Sequence, residues 1–177
     1  MLVFDKKYRT IPNYLSLARL ILAPIIGHFL YWGNKPLAIL LIIIAYLLDV
    51  LDGFIARKFN QESEFGKIID PIADKAMYGF IAFALLLNNM LPVWFFAFYI
   101  LRELLILFGS FLFAKRIKEV PKSNFWGKIS AFSVAITLLG VILEIKYFNP
   151  YGLIVALILS YLSSLIYFKI GYRQLKK

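Results

Sequence analysis

Residues 49–74 read DVLDGFIARKFNQESEFGKIIDPIAD and contain two pairs of aspartates. Asp49 and Asp52 are three positions apart and Asp70 and Asp74 are four apart, so on helices each pair lies on one face. Both pairs stand in otherwise apolar sequence, where an ionisable group is costly and is a functional candidate by default. We therefore look in the surrounding sequence for the reason why an apolar protein contains four carboxylates close together.

The composition is that of an integral membrane protein. Of the 177 residues, 62% are hydrophobic, and the mean hydropathy is +0.78, whereas soluble domains are about half apolar. A net charge of +10 would suggest nucleic-acid binding in a soluble protein. Here the basic residues cluster between apolar runs, so we expect a lipid bilayer and no nucleic acid as partner. The absence of cysteine excludes disulfides and thiolate metal sites.

The apolar runs predict six transmembrane helices. Their expected bounds are residues 11–31, 36–56, 65–87, 91–114, 125–143 and 151–170. Pro12 is favoured in a first helical turn, Asn13 is typical of a position near a cap, and Pro24 predicts a kink. Helix 2 has to continue through Asp49 and Asp52, because a span needs about 20 residues.

Lysine and arginine are concentrated at every second connection between these helices, which lies on one side of the predicted bilayer. Nearly all lie in the N-terminus, the loops after helices 2 and 4, and the C-terminus, while the other turns hold only Lys35 and Lys146. The positive-inside rule then predicts an N-in, C-in topology, with residues 1–10 as a short interfacial segment. We expect a single all-α membrane domain, residues 1–177, in the plasma (inner) membrane, with the aspartates and the active site facing the cytoplasm.

Four carboxylates facing one cavity repel one another and require cations. Oxygen ligands without Cys or a nearby His suit Mg²⁺ or Mn²⁺, and four of them suit two ions, which assist phosphoryl-type displacements. Gly53 and Ala56 share a face with the first pair, and Gly66 lies four before Asp70, so a ligand can approach closely. Arg57 at the cytoplasmic end suits a phosphate.

Two other classes of protein remain possible at this point. A divalent-cation transporter also places aspartates in the membrane, but no acidic residue lines the opposite halves of helices 2 and 3. A purely structural scaffold, in which the aspartates pair with Arg57 or Lys75, explains one or two carboxylates better than four. His28, the only histidine, lies in an apolar helix and is expected to have a packing role.

The pattern resembles the complete signature of the CDP-alcohol phosphotransferases. It reads Asp49-x2-Asp52-Gly53-x2-Ala56-Arg57-x8-Gly66-x3-Asp70-x3-Asp74. The resemblance implies that Asp49, Asp52 and Asp70 hold two divalent ions, and that Asp74 completes the metal site and is the catalytic base. It also implies a homodimer that transfers a phosphatidyl group from CDP-diacylglycerol to a small phosphate-bearing alcohol and releases CMP. The implied CDP-lipid contacts are Asn13, Ser16, Gly53, Ala56, Arg57 and Gly66.

Two further motifs resemble phosphatidylglycerophosphate synthases first and eukaryotic-type cardiolipin synthases next. They are Ile11-Pro12-Asn13-x-Leu15-Ser16-x2-Arg19 and Asp70-Pro71-x-Ala73-Asp74-Lys75. Arg102 and Lys128 resemble the residues that bind the acceptor's phosphate, although Arg102 could instead pair with Glu103. The expected acceptor is glycerol 3-phosphate, and the alternative is phosphatidylglycerol. Arg19 and Arg173 are weaker acceptor-side candidates and are expected to anchor at lipid headgroups.

Overall fold

A computed structural model describes residues 10–61, 63, 65–114 and 125–175, and these residues are helical apart from short turns. The α-helices are α1 (Ile11–Tyr31), α2 (Lys35–Lys58), α3 (Gly66–Leu87), α4 (Val93–Ala114), α5 (Phe125–Ile142) and α6 (Tyr151–Leu175), with a short 3₁₀ helix at Lys146–Phe148. Residues 1–9 of the predicted interfacial segment and the basic loop after helix 4 lie outside the described ranges. All six predicted helices are present.

The first two helices are separated by a tight turn that the sequence determines. Gly33 has a φ of 76°, a left-handed conformation that glycine adopts without strain. Asn34 caps α2, because its side-chain oxygen accepts a hydrogen bond from Leu37 N at 3.3 Å. The helix therefore starts at Lys35, one residue before the predicted start.

Asn13 lies three residues after Thr10, the N-cap of α1, so it is near the cap as predicted, and it is buried. Several helix ends differ from the predicted ones: α2 ends at Lys58 rather than residue 56, α3 begins at Gly66 rather than 65, and α5 ends at Ile142 rather than 143. Helix α4 begins at Val93 and not at residue 91, because the Pro92 carbonyl accepts the first hydrogen bonds. Helix α6 continues to Leu175, beyond the predicted end at 170, since a lone Gly171 does not stop a helix and Arg173 suits its C-terminal dipole.

The chain divides into two compact units, and residues 1–88 form the first. Within its described part, α1 packs extensively against both α2 and α3, whereas α2 and α3 contact each other little. A Cβ added at Gly27 of α1 would lie 3.2 Å from the Phe80 carbonyl oxygen, so α1 and α3 approach closely there. Helix α1 is therefore the common neighbour through which the two aspartate-bearing helices are brought together.

The second unit comprises residues 89–177. Helix α6 packs against α5 and α4, with Val134, Leu138, Leu153 and Ala156 in the buried core. Polar side chains join the same helices: the Tyr161 hydroxyl donates to the Phe98 carbonyl at 2.9 Å. Helix α6 is thus the common neighbour of α4 and α5, as α1 is the common neighbour of α2 and α3.

The chain is a membrane protein. Helices α1, α2 and α5 and residues Tyr151–Arg173 of α6 are long and apolar enough to cross a bilayer. Helix α2 turns a row of large apolar side chains outward: Leu40, Ile43, Ile44, Tyr46, Leu47, Val50, Leu51 and Phe54. A contiguous apolar surface of this kind is unfavourable in water and is covered favourably by lipid tails.

Candidate active site

Four aspartates in the first unit meet around one guanidinium group. Arg19 Nη1 lies 2.6 Å from Asp49 Oδ1 and also pairs with Asp74 Oδ1. Arg19 Nη2 lies 2.7 Å from Asp52 Oδ2 and also pairs with Asp70 Oδ1. Each terminal nitrogen thus contacts one carboxylate from α2 and one from α3. The packing of α1 against both helices places the arginine at this junction.

The prediction that Arg19 anchors at lipid headgroups is wrong. Its side chain is 0% exposed, because the face of α1 that carries Asn13, Ser16 and Arg19 is turned toward α2 and α3. The sequence held a signal for this: the three polar residues follow one another at intervals of three, which places them on one helix face. That face continues with the buried Ala23 and Ile26.

The aspartates fit a site for hard divalent cations. One carboxylate oxygen each from Asp49, Asp70 and Asp74 lies within 4.8 Å of the others, and these side chains are 41%, 45% and 45% exposed. Asp52 is buried, and the Ser16 hydroxyl lies 3.3 Å from its Oδ2, close enough to donate. An all-oxygen cluster that is partly open on one side is the donor set that Mg²⁺ and Mn²⁺ prefer.

An open cavity of about 160 Å³ lies beside this cluster. It is lined by Pro12, Asn13, Ser16, Asp52, Gly53, Ala56, Gln61, Ser63, Gly66 and Asp70. The cavity thus gathers five of the six residues predicted to contact the CDP-lipid. The sixth, Arg57, is exposed, and a Cβ added at Gly53 would lie 3.4 Å from its Nη1.

Because residue 66 is glycine, the Asn13 side chain of α1 can lie close to the backbone at the start of α3. A Cβ at this position would lie 2.7 Å from Asn13 Oδ1. In the space that the missing side chain leaves, the Ser63 hydroxyl donates to Asn13 Oδ1 at 2.9 Å and accepts from Gly66 N at 2.9 Å. Ser63 and Gln61 line the cavity as well, and the sequence did not single them out because they lie in a polar stretch that reads as a connector.

The two predicted acceptor-binding residues belong to the second unit. Arg102 pairs with Glu103 on α4, and both side chains are 14% exposed. Its Nη2 donates to Ser130 Oγ at 3.3 Å and its Nε to Ser164 Oγ at 3.2 Å, which ties α4 to α5 and α6. Lys128 is exposed near the start of α5.

Comparison with known proteins agrees with this geometry. The sequence model of the family described as CDP-alcohol phosphatidyltransferase matches residues 9–166. The chain is 35% identical over 133 residues to the CDP-diacylglycerol–glycerol-3-phosphate 3-phosphatidyltransferase of Aquifex aeolicus, and the alignment covers 74% of both chains.

Two further relatives match shorter stretches. A probable cardiolipin synthase (CMP-forming) of Drosophila melanogaster is 36% identical over 115 residues, which are 64% of this chain and 36% of the relative. A CDP-diacylglycerol–glycerol-3-phosphate 3-phosphatidyltransferase of Rickettsia typhi is 42% identical over 81 residues, 44% of this chain and 46% of the relative. With the family's sequence model matching most of its length, the chain belongs to the CDP-alcohol phosphatidyltransferase family.

Proposed function

We propose that this enzyme transfers the phosphatidyl group of CDP-diacylglycerol to glycerol 3-phosphate, giving phosphatidylglycerophosphate and CMP. The observation that carries the proposal is the open cavity beside the four aspartates, because it joins a space lined by small and polar residues to a cluster of cation ligands. The names of the Aquifex and Rickettsia relatives support this choice of donor and acceptor.

The donor's nucleotide would occupy the cavity between α1, α2 and α3. Gly53, Ala56 and Gly66 leave room for it, and Asn13 and Ser16 offer polar groups from the facing helix. At the outer end of α2, the exposed Arg57 guanidinium suits the diphosphate. The lipid tails would lie along the apolar outer surface of the helices.

The four aspartates would hold two Mg²⁺ or Mn²⁺ ions, and the fit of the all-oxygen cluster supports this. Such ions supply charge stabilisation for the transferred phosphoryl group and for the departing CMP. Asp74, which is half-exposed, would accept the proton of the acceptor's hydroxyl. The acceptor oxygen then forms a bond to the β-phosphorus as the bond between that phosphorus and the CMP oxygen breaks.

Arg102 and Lys128 would bind the acceptor's phosphate. A guanidinium has five N–H donors, and the three contacts described in the second unit use three of them, so the others can donate to an anion. A second acceptor, phosphatidylglycerol, is supported by the similarity to the cardiolipin synthase. Its phosphodiester carries one negative charge where glycerol 3-phosphate carries up to two, so a panel of acceptors distinguishes them.

We further propose that all six helices span the plasma (inner) membrane as a single domain, with both termini and the aspartates on the cytoplasmic side, in a homodimer. Helices α3 and α4 have 22 residues each, which is about 33 Å and enough for a hydrocarbon core of about 30 Å. The match to the family's sequence model, which runs through both units, supports the single domain.

The test is CMP release by the purified protein with Mg²⁺, CDP-diacylglycerol and a panel of acceptors: glycerol 3-phosphate, phosphatidylglycerol, serine and inositol phosphate. We expect release with glycerol 3-phosphate, abolished in Asp74→Asn. Glu144→Gln, which removes a carboxylate from the turn after α5, is the matched control and should keep full activity. Intact release in Asp74→Asn would refute the base assignment, and release with a different acceptor alone would refute the acceptor.

A further inference from the structure

Arg19 pairs with four carboxylates, whereas an ordinary structural ion pair joins one cation to one carboxylate. It is fully buried in α1, and its two terminal nitrogens divide the four carboxylates between them, one from α2 and one from α3 at each nitrogen. Its Nε is also buried, and within the described part of the chain this N–H has no hydrogen-bond partner. The guanidinium is therefore held by the charges of the carboxylates and not by a complete set of hydrogen bonds.

We propose that Arg19 is an internal cation that assembles the four aspartates before divalent ions arrive and then competes with those ions for the same carboxylates. The inference rests on the proposed function, since it takes the aspartates as the ligands of the ions. Arg19 is in this sense a positioning residue: it acts on the ligands and does not contact the reacting atoms.

The physical reason is the charge balance of the cluster. Four carboxylates in one small volume repel one another, and one guanidinium reduces their summed charge from −4 to −3 while bridging α2 and α3. The metal-free enzyme thereby keeps its ligands gathered. The guanidinium also competes with divalent ions for the carboxylate oxygens, because an ion that binds these oxygens has to displace the guanidinium from at least some of them. A ligand that has to displace a resident group shows a correspondingly weaker apparent affinity.

The experiment measures thermal unfolding of the detergent-purified enzyme in EDTA and over titrations with Mg²⁺ and with Mn²⁺. We expect Arg19→Gln to unfold at a lower temperature than wild type in EDTA, because the carboxylates lose the guanidinium that pairs with all four of them. The ion concentration for half-maximal stabilisation should fall about tenfold, and the rise in Tm at saturation should be roughly twice that of wild type. Lys58→Gln is the control: it removes one positive charge from an exposed side chain that lies over the Phe54 and Phe59 rings, and its ion dependence should equal that of wild type.

A second variant keeps the test decisive if Arg19→Gln does not fold. Arg19→Lys keeps the charge but has a single nitrogen, which cannot bridge all four carboxylates, so its midpoint should lie between those of wild type and Arg19→Gln. A Tm lowered equally with and without ions, or a midpoint that is unchanged or higher, would overturn the proposal and leave Arg19 a structural residue. If neither ion stabilises any of the proteins, wild type included, the metal site of the proposed function fails instead.

Discussion

Replacing Gly66 with alanine tests the proposed nucleotide cavity more directly than any other single change. The added Cβ would lie 2.7 Å from Asn13 Oδ1, whereas ordinary contacts begin at 3.4 Å, so the amide has to move by about 0.7 Å. Asn13 is only 2% exposed and accepts a hydrogen bond from Ser63, so this movement meets close-packed neighbours. Overpacking of this kind costs about 1 to 3 kcal/mol.

If that free energy is lost from donor binding, the KM for CDP-diacylglycerol rises about 5- to 150-fold, since 1.4 kcal/mol corresponds to a factor of ten. The assay is the initial rate of CMP release over a range of donor concentrations at saturating acceptor. The KM for the acceptor should change little, because an added Cβ at Gly66 would meet Asn13 and Ser63, and neither is a proposed acceptor residue.

Gly79→Ala in the same helix is the matched control. No atom among the described residues lies within 4 Å of its added Cβ, and alanine is favoured over glycine in a helix by about 1 kcal/mol. This variant should keep the wild-type KM with an equal or higher Tm. Equal donor KM values for Gly66→Ala, Gly79→Ala and wild type would refute the assignment of this cavity to the nucleotide.

Three further outcomes follow from contacts of other residues. Ser63→Ala removes two hydrogen bonds at the cavity, each worth about 0.5 to 1.5 kcal/mol, so the donor KM should rise; a donor KM equal to that of wild type would contradict a role in the cavity. Arg102→Gln should raise the KM for glycerol 3-phosphate by about tenfold or more, as expected for a lost charged hydrogen bond of about 1.5 to 3 kcal/mol, while the donor KM stays constant; the reverse pattern in the same kinetics would argue against the acceptor assignment. Asn34→Ala removes the cap of α2 and should lower stability by about 0.5 to 2 kcal/mol in denaturant unfolding, with activity retained below the new Tm; an unchanged stability would mean that the cap contributes nothing.

The helices could be read from the sequence with an accuracy of a few residues, because uninterrupted apolar runs bounded by Gly, Asn and Pro leave few alternatives. The bounds of α1 were predicted to the residue, and the turn at Gly33 falls in the gap predicted between helices 1 and 2. The end of α6 was placed too early, since charged and polar residues after 170 suggested a tail, although nothing in that stretch breaks a helix. The ends of helices are set by capping and packing, which apolar periodicity does not encode.

The four aspartates could also be identified from spacing alone, but their surroundings could not. The spacing predicted that the four carboxylates face one cavity, but it did not indicate that α1 is the main neighbour of both aspartate-bearing helices. That arrangement decides the role of Arg19: an arginine in an apolar helix reads as a headgroup anchor until the neighbours of its face are known. Ser63 escaped notice for the same reason, because its hydrogen bonds join positions that are far apart in the sequence.

The place of Arg19 on the first helix has a consequence for how the protein enters the membrane. Synthesis proceeds from the N-terminus, so α1 is made before α2 and α3. A carboxylate buried in a bilayer without a partner is costly, and α2 and α3 each carry two of the four carboxylates. Because Arg19 pairs with all four aspartates and precedes them in the chain, the cation is synthesised before the carboxylates that it neutralises.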